Sequence, residues 1–161
     1  MFAYTPPTLA GFQDFLYSVM RIDPLYLPST EPVIAYAFQV ALAVVNPELR
    51  SVPIPWPNGQ PGRMSVYVLA VYNLAGSNVI QFAQDQPGRD FFEKTREKLG
   101  IDKFAPGVVA STSDSSTSMA LLNPEFMKTL TLQNLQNLRD PWGRQAMAFM
   151  QSYGPTIWGL S

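Results

Sequence analysis

Leu9, Phe12, Phe15, Leu16 and Val19 recur at intervals of three and four residues, the spacing that lines one face of an α-helix. Thr8 stands just ahead of them as an N-cap, its side-chain oxygen placed to accept from a free N–H of the first turn. Asp23-Pro24 ends the segment, because a residue before proline is pushed out of helical angles. A second apolar run, Pro32 to Val45, opens with "PSTEP": Ser29 or Thr30 can cap it, Glu31 suits the positive end of the helix dipole, and Pro32 is tolerated in the first turn. Asn46-Pro47 stops it. Ala35, Gln39 and Ala43 fall at four-residue intervals on this helix and form one narrow stripe. The stripe fits close packing against another helix of the chain, or against a second subunit.

From Arg50 to Arg63, "RSVPIPWPNGQPGR" holds four prolines and two glycines, which excludes regular helix and sets Trp56 on a stiff, mostly extended loop. The third helix spans about Met64 to Asp85. It is apolar all round for two turns, so it belongs in the middle of a bundle. Further along, Asn73, Gly76, Ser77, Gln81 and Gln84 share one face. "QPGRD" breaks the chain before a fourth helix, "RDFFEKTREKL", in which Arg89 to Lys98 contains seven of the 23 charged residues. Phe91, Phe92, Thr95 and Leu99 face inward there, Arg89–Glu93 and Asp90–Lys94 are candidate i,i+4 pairs, and Gly100 is the stop. This helix is the expected wet face.

Beyond it, "ASTSDSSTSM" (Ala110 to Met119) has seven Ser or Thr residues in ten positions, flanked by "GVV" and "ALL". β-Branched residues and a turn at "SDSS" predict an extended arm or hairpin over about 106–122. "NPEFMKTLTLQNLQNL" adds a helical turn or two, with Asn123 as cap and Pro124 at the first position. The last helix is capped by Asp140, started by Pro141 and ended by Gly154-Pro155. Met147, Phe149 and Met150 fill the core. The fold class expected is mainly α: a single domain over 1–161, a small bundle of about five helices, with a Ser/Thr-rich hairpin or arm and a C-terminal tail at about 153–161.

Composition narrows the chemistry. The chain has no histidine and no cysteine, which removes disulfides, thiol nucleophiles, imidazole or thiolate metal sites and every triad with a histidine base. The lysines nearest in sequence to Ser111–Ser118 are Lys103 and Lys128, too remote along the chain to mark a Ser–Lys dyad. No phosphate loop and no nucleophile elbow exists. We therefore expect no enzyme activity, no cofactor and no metal. A net charge of −1 gives no basic face for nucleic acid. The N-terminal "MFAYTPPTLAGF" has neither a basic nor an apolar signal region, so no signal peptide is expected. Pro32–Val45 is too short to span a bilayer, and Met64–Ala83 carries five polar residues, so both read as buried helices. Only 14% of residues are charged, against about a quarter in ordinary domains, and this points to surface hidden against partners.

The order of "VYVLAVYNLAG", a polar helix, "VVASTSDSSTSMAL" and a terminal "LRDPWGRQAMAFMQ" resembles the small head–tail connector (adaptor) proteins of tailed bacteriophages. That family has a Ser-rich arm after an Ala-, Tyr- and Leu-rich helix. Near its C-terminus comes a "(T/D)P(W/Y)G(R/Q)Q" segment, matched here by Asp140, Pro141, Trp142, Gly143, Arg144 and Gln145. The resemblance implies a structural virion protein at the neck of the capsid vertex, present in the host cytoplasm during assembly. It implies a closed ring of this chain, roughly twelve-fold to match a portal. The ring's partners would be the portal protein and the next neck or tail protein, with DNA only as passing cargo and no membrane. Candidate contacts are Trp56, Ser111, Ser113, Asp114, Ser116, Trp142, Arg144, Tyr153, Ile157 and Trp158. Rival readings are a head-closure or tail-terminator protein, richer in sheet, and a small non-viral binding module.

Overall fold

In the computed structural model the chain is mainly helical, and the structure describes residues 5–55, 61–101, 108–112, 119–122 and 137–153. Among the described residues five α-helices run in the order α1 (Leu9–Asp14), α2 (Pro32–Val44), α3 (Val66–Phe82), α4 (Phe91–Leu99) and α5 (Pro141–Tyr153). Two short antiparallel pairs join them. Strand β1 (Pro53–Pro55) pairs with β2 (Pro61–Ser65), so the described ends of the proline-rich loop are extended, as its prolines require. Strand β3 (Val108–Thr112) pairs with β4 (Met119–Leu122) in the register Val108↔Leu122 to Thr112↔Met119, shifted between Val109 and Ser111. The Ser/Thr-rich stretch is thus flanked by a paired hairpin. Trp56, the "SDSS" turn and the expected turns at 123–136 lie outside the described residues.

Helix α3 is the axis of the bundle. Of its first fifteen residues all but Leu69 are buried, and α1, α2, α4 and α5 all pack on it. Its first two turns are apolar on every side, which favours the centre, and the polar residues that follow, Asn73, Ser77 and Asn78, are buried with them. Small residues let its neighbours come close. A Cβ on Gly76 would lie 2.6 Å from the Met20 sulfur, and one on Gly11 of α1 would lie 2.3 Å from the Tyr72 hydroxyl. Tyr72 sits among Phe12, Phe15 and Phe38, with ring centroids 5.8–6.4 Å apart. Its hydroxyl accepts from the Thr8 N–H (3.2 Å) and donates to the Thr8 carbonyl (3.3 Å), fastening the start of the chain to the axis.

The first helix departs from expectation. Thr8 caps it as expected, its Oγ1 accepting from Gly11 N at 3.0 Å. After Asp14, however, the chain continues as a π turn, Phe15–Val19. The extra residue in that turn rotates the later side chains. Phe12, Phe15 and Leu16 are buried, but Val19 is 54% exposed and Leu9 38% exposed. Met20 takes the inward place over Gly76 instead. Arg21, with φ 56°, then turns the chain through a left-handed conformation that few non-glycine residues adopt.

Two further expectations on α2 are corrected. Its N-cap is Glu31, not Ser29 or Thr30, and no side chain caps the turn. Pro32 at the first position has no N–H to satisfy and forces the preceding residue to extended angles. The Glu31 carboxylate instead accepts from the Gln86 amide at 2.7 Å. Of the two readings of the stripe Ala35, Gln39, Ala43, packing within the chain is not seen among the described residues; all three are exposed. Ile34, Ala37, Phe38 and Ala41 form the buried face, with Phe38 stacked on Phe12 at 5.8 Å.

Helix α4 carries charge outward with one exception. Lys94 and Asp90 form an exposed pair at 2.8 Å, which holds the Lys94 ammonium above its ordinary range chiefly through that hydrogen bond and the Asp90 charge. Arg89 does not pair with Glu93; its guanidinium lies 5.2 Å from the Tyr26 ring. Arg96 points inward and donates to the carbonyls of Ile80 (3.1 Å) and Ala83 (2.9 Å), satisfying the last turn of α3. Asp85 accepts from Phe92 N and Glu93 N and so caps α4 from the linker. Gly100, at φ 65°, closes the helix in the left-handed cap expected of it. Among the described residues no helix is long and apolar enough to cross a membrane.

Candidate subunit-contact surface

The segment "DPWGRQ" begins α5, and its residues are placed by the core. Asp140 has no exposed surface. Its Oδ1 accepts from Gly143 N at 2.9 Å, the N-cap bond of the helix. Its Oδ2 accepts from Ser77 Oγ at 2.6 Å and from Gln81 Nε2 at 3.0 Å, and Gln81 Nε2 also reaches Ser77 Oγ at 2.9 Å. Among the described residues every contact on the carboxylate is a donor, so the buried acidic side chain is held by hydroxyl, amide and backbone N–H together with the positive end of α5. Gly143 is there because nothing larger fits. A Cβ would lie 2.0 Å from the Asn137 carbonyl oxygen and 2.9 Å from Ser77 Oγ. Trp142, half-buried, presents an edge contact to Phe15 at 5.7 Å.

Four of the expected contact residues, Ser111, Trp142, Arg144 and Tyr153, fall within the described residues. Trp142 packs inward. Arg144 is exposed, and its guanidinium donates to the Leu138 carbonyl at 3.2 Å. Tyr153, 49% exposed, stands at the far end of α5, about 16 Å along the axis from Trp142. Ser111 lies in β3 opposite Ala120. Trp56, Ser113, Asp114, Ser116, Ile157 and Trp158 lie outside the described residues.

Two further surfaces have a different character. The first is the outward side of α2. Pro32, Ala35, Tyr36, Gln39 and Ala43 are exposed, Tyr36 by 63%, and Val33, Val40, Leu42 and Val44 flank them half-buried. None of the thirteen residues of α2 is charged. The sequence marks this side as the Ala35, Gln39, Ala43 stripe with no charge on the helix, but it leaves open whether the stripe packs within the chain or against a second subunit. The second is a groove of about 480 Å³ between the α1–π-turn segment and α3, lined by Gly11, Asp14, Phe15, Ser18, Val19, Leu69 and Tyr72. Asp14 and Ser18 are its exposed polar groups, and among the described residues none donates to the Asp14 carboxylate. The groove is invisible in sequence because it depends on the π turn.

A second cleft, of about 320 Å³, is lined by Tyr26, Asp90, Phe91, Lys94, Thr95 and Lys98. Its polar groups already serve one another. Asp90 holds Lys94, Thr95 Oγ1 donates to the Phe91 carbonyl, and Tyr26 is stacked on Phe91 at 4.6 Å. Elsewhere, burial raises the ionisation of the Tyr17 phenol above its ordinary value, and the Tyr17 hydroxyl donates to the Leu27 carbonyl at 3.0 Å.

No family model, curated protein or solved structure matches this chain. The surface chemistry therefore carries the functional reading.

Proposed function

We propose that this chain is a structural subunit of a phage neck: an adaptor that assembles into a closed ring, docks on the portal and connects it to the tail around a DNA channel. The observation that carries the reading is the outward side of α2, where exposed and half-exposed side chains run the length of a thirteen-residue helix without one charge. A protein working alone in water does not keep such a face bare; contiguous exposed apolar surface marks protein–protein contact. The charges are collected instead on α4, where Glu93, Lys94, Glu97 and Lys98 are all exposed. That mixed-sign surface stays wet and does not grip DNA, as a channel wall or outer rim requires. The β3–β4 hairpin suits the same role, because neither strand carries a charged residue or proline of the kind that blocks strand addition at a free edge. The match of Asp140 to Gln145 to the family segment supports the reading through the fold it builds, not through contact.

Co-expression with a portal protein from the same source, followed by negative-stain imaging, tests it. Annular particles stacked coaxially on the portal are expected. A chain that stays separate from the portal and melts higher with a small ligand would replace the reading with that of a binding module.

A further inference from the structure

We infer that successive copies join head to tail, the outward face of α2 in one copy covering the π-turn groove of the next, with the Tyr36 side chain lodged in the groove. This rests on the self-assembling part of the reading above and names the surface that performs it. Three features commit the groove to this occupant. The first is size and polarity. A groove of about 480 Å³ accommodates one aromatic side chain with its neighbours, and its walls are Phe15, Val19, Leu69 and Tyr72. Tyr36, on the middle of α2 and 63% exposed, offers such a ring on a convex helix. Its phenol is apolar along the ring and a donor at the tip.

The second feature is charge. Among the described residues Asp14 is the only ionised group lining the groove, and its carboxylate has no donor there. The α2 face presents donors, the Tyr36 hydroxyl and the Gln39 amide, and no anion. The α4 face would bring Glu93 and Glu97 together with Lys94 and Lys98, four charges that a dry contact must strip of water, and a nucleic acid would set phosphates against Asp14. Like charges brought together at a dry contact weaken it. The third feature is placement. On α1 and its π turn, Phe12 and Leu16 belong to the core shared with α2, where Phe12 stacks on Phe38, whereas Asp14, Ser18 and Val19 border the groove. The knob and the hole lie on different sides of one chain, so the contact is heterologous. Repeated by a rotation that closes, such a contact makes a ring.

The test uses the full chain with Tyr36→Glu, which puts a carboxylate where Asp14 sits, and Val19→Glu, which blocks the groove. Both positions are exposed, and circular dichroism is expected to match the wild type. Sedimentation velocity should show wild-type self-association, and each variant should weaken it by about thirtyfold, as loss of a central aromatic contact does. Tyr36→Phe, which keeps the ring and loses the donor, should weaken it by tenfold or less. The decisive arm is the mixture. Tyr36→Glu retains a groove and Val19→Glu retains a knob, so together they should form a one-to-one dimer and nothing larger. A mixture that stays monomeric, a variant that assembles like the wild type, or a wild-type chain that stays monomeric at about 200 μM overturns the inference. A Val19→Glu chain that dimerises by itself overturns it as well, in favour of a twofold α2–α2 contact. The adaptor reading is decided separately by the portal images: annuli formed by Tyr36→Glu would leave that reading intact and remove this interface.

Discussion

The first turn of α5 and the outward side of α2 are opposites. At α5 the distinctive residues are engaged within the chain: Asp140 takes three donors, Gly143 lies against a backbone carbonyl, and Trp142 rests its edge on Phe15. On α2 the exposed Tyr36 and Gln39 have no counterpart in the described chain. The better the motif, the less of it is left over for a partner. "DPWGRQ" reads as a recognition segment in sequence, yet its unusual residues are explained by capping, close approach and burial. Its distinctiveness measures how tightly the fold specifies that corner. The surface available for assembly lies where the sequence is plainest.

That contrast can be broken at several strengths. Gly143→Ala should be the most damaging of these substitutions. Its Cβ meets backbone and not a movable side chain, so the start of α5 must shift. About 3 kcal/mol of stability should be lost, lowering Tm by roughly 6–12 °C. A calorimetric melt near that of the wild type would mean that α5 is not seated on α3 as described. Ser77→Ala should cost less, about 1–2 kcal/mol, by removing one donor from a buried carboxylate. Combined with Gln81→Ala it should be non-additive, because both act on the same Asp140 oxygen. Additive denaturant midpoints would argue against the shared network.

On the other side of the comparison, Tyr36→Glu should leave monomer stability within about 0.5 kcal/mol of the wild type while it changes association. Large destabilisation would show that Tyr36 serves the fold. The smallest effect concerns pH. Burial lifts the Tyr17 phenol above 10.0, so the folded chain keeps this proton after the unfolded chain has lost it. Unfolding then releases a proton, and stability falls as pH rises beyond about 10. Tyr17→Phe should flatten that part of the alkaline melting curve; an unchanged slope would show that Tyr17 does not contribute.

The sequence made the helices legible wherever a side chain acts locally. Thr8, Gly100 and Asp140 mark helix ends because a cap needs only its own few neighbours. The central position of α3 follows from its first two turns, which are apolar all round. What escaped depended on distant partners. Val19 was assigned to the buried side because a period of 3.6 residues cannot anticipate a π turn, which is held in place as Met20 seats on Gly76, 56 residues along the chain. Arg96 counted among the wet charges, although it caps α3. Ala35, Gln39 and Ala43 were grouped correctly as a stripe, but whether a stripe packs within a chain or waits outside it is decided by how many helices are there to cover it. The motif marks Trp142 and Arg144 as contact residues, and their partners in the fold, Phe15 and the Leu138 carbonyl, come from packing that the motif does not contain.

Sedimentation velocity of the wild-type chain over a range of concentrations tests the central claim, that the bare apolar surface of this bundle exists to be covered by copies of itself. The account predicts that mass rises from 17.9 kDa to a discrete larger species as concentration increases, and that the larger species is lost with Tyr36→Glu. A mass that stays at 17.9 kDa throughout would contradict it.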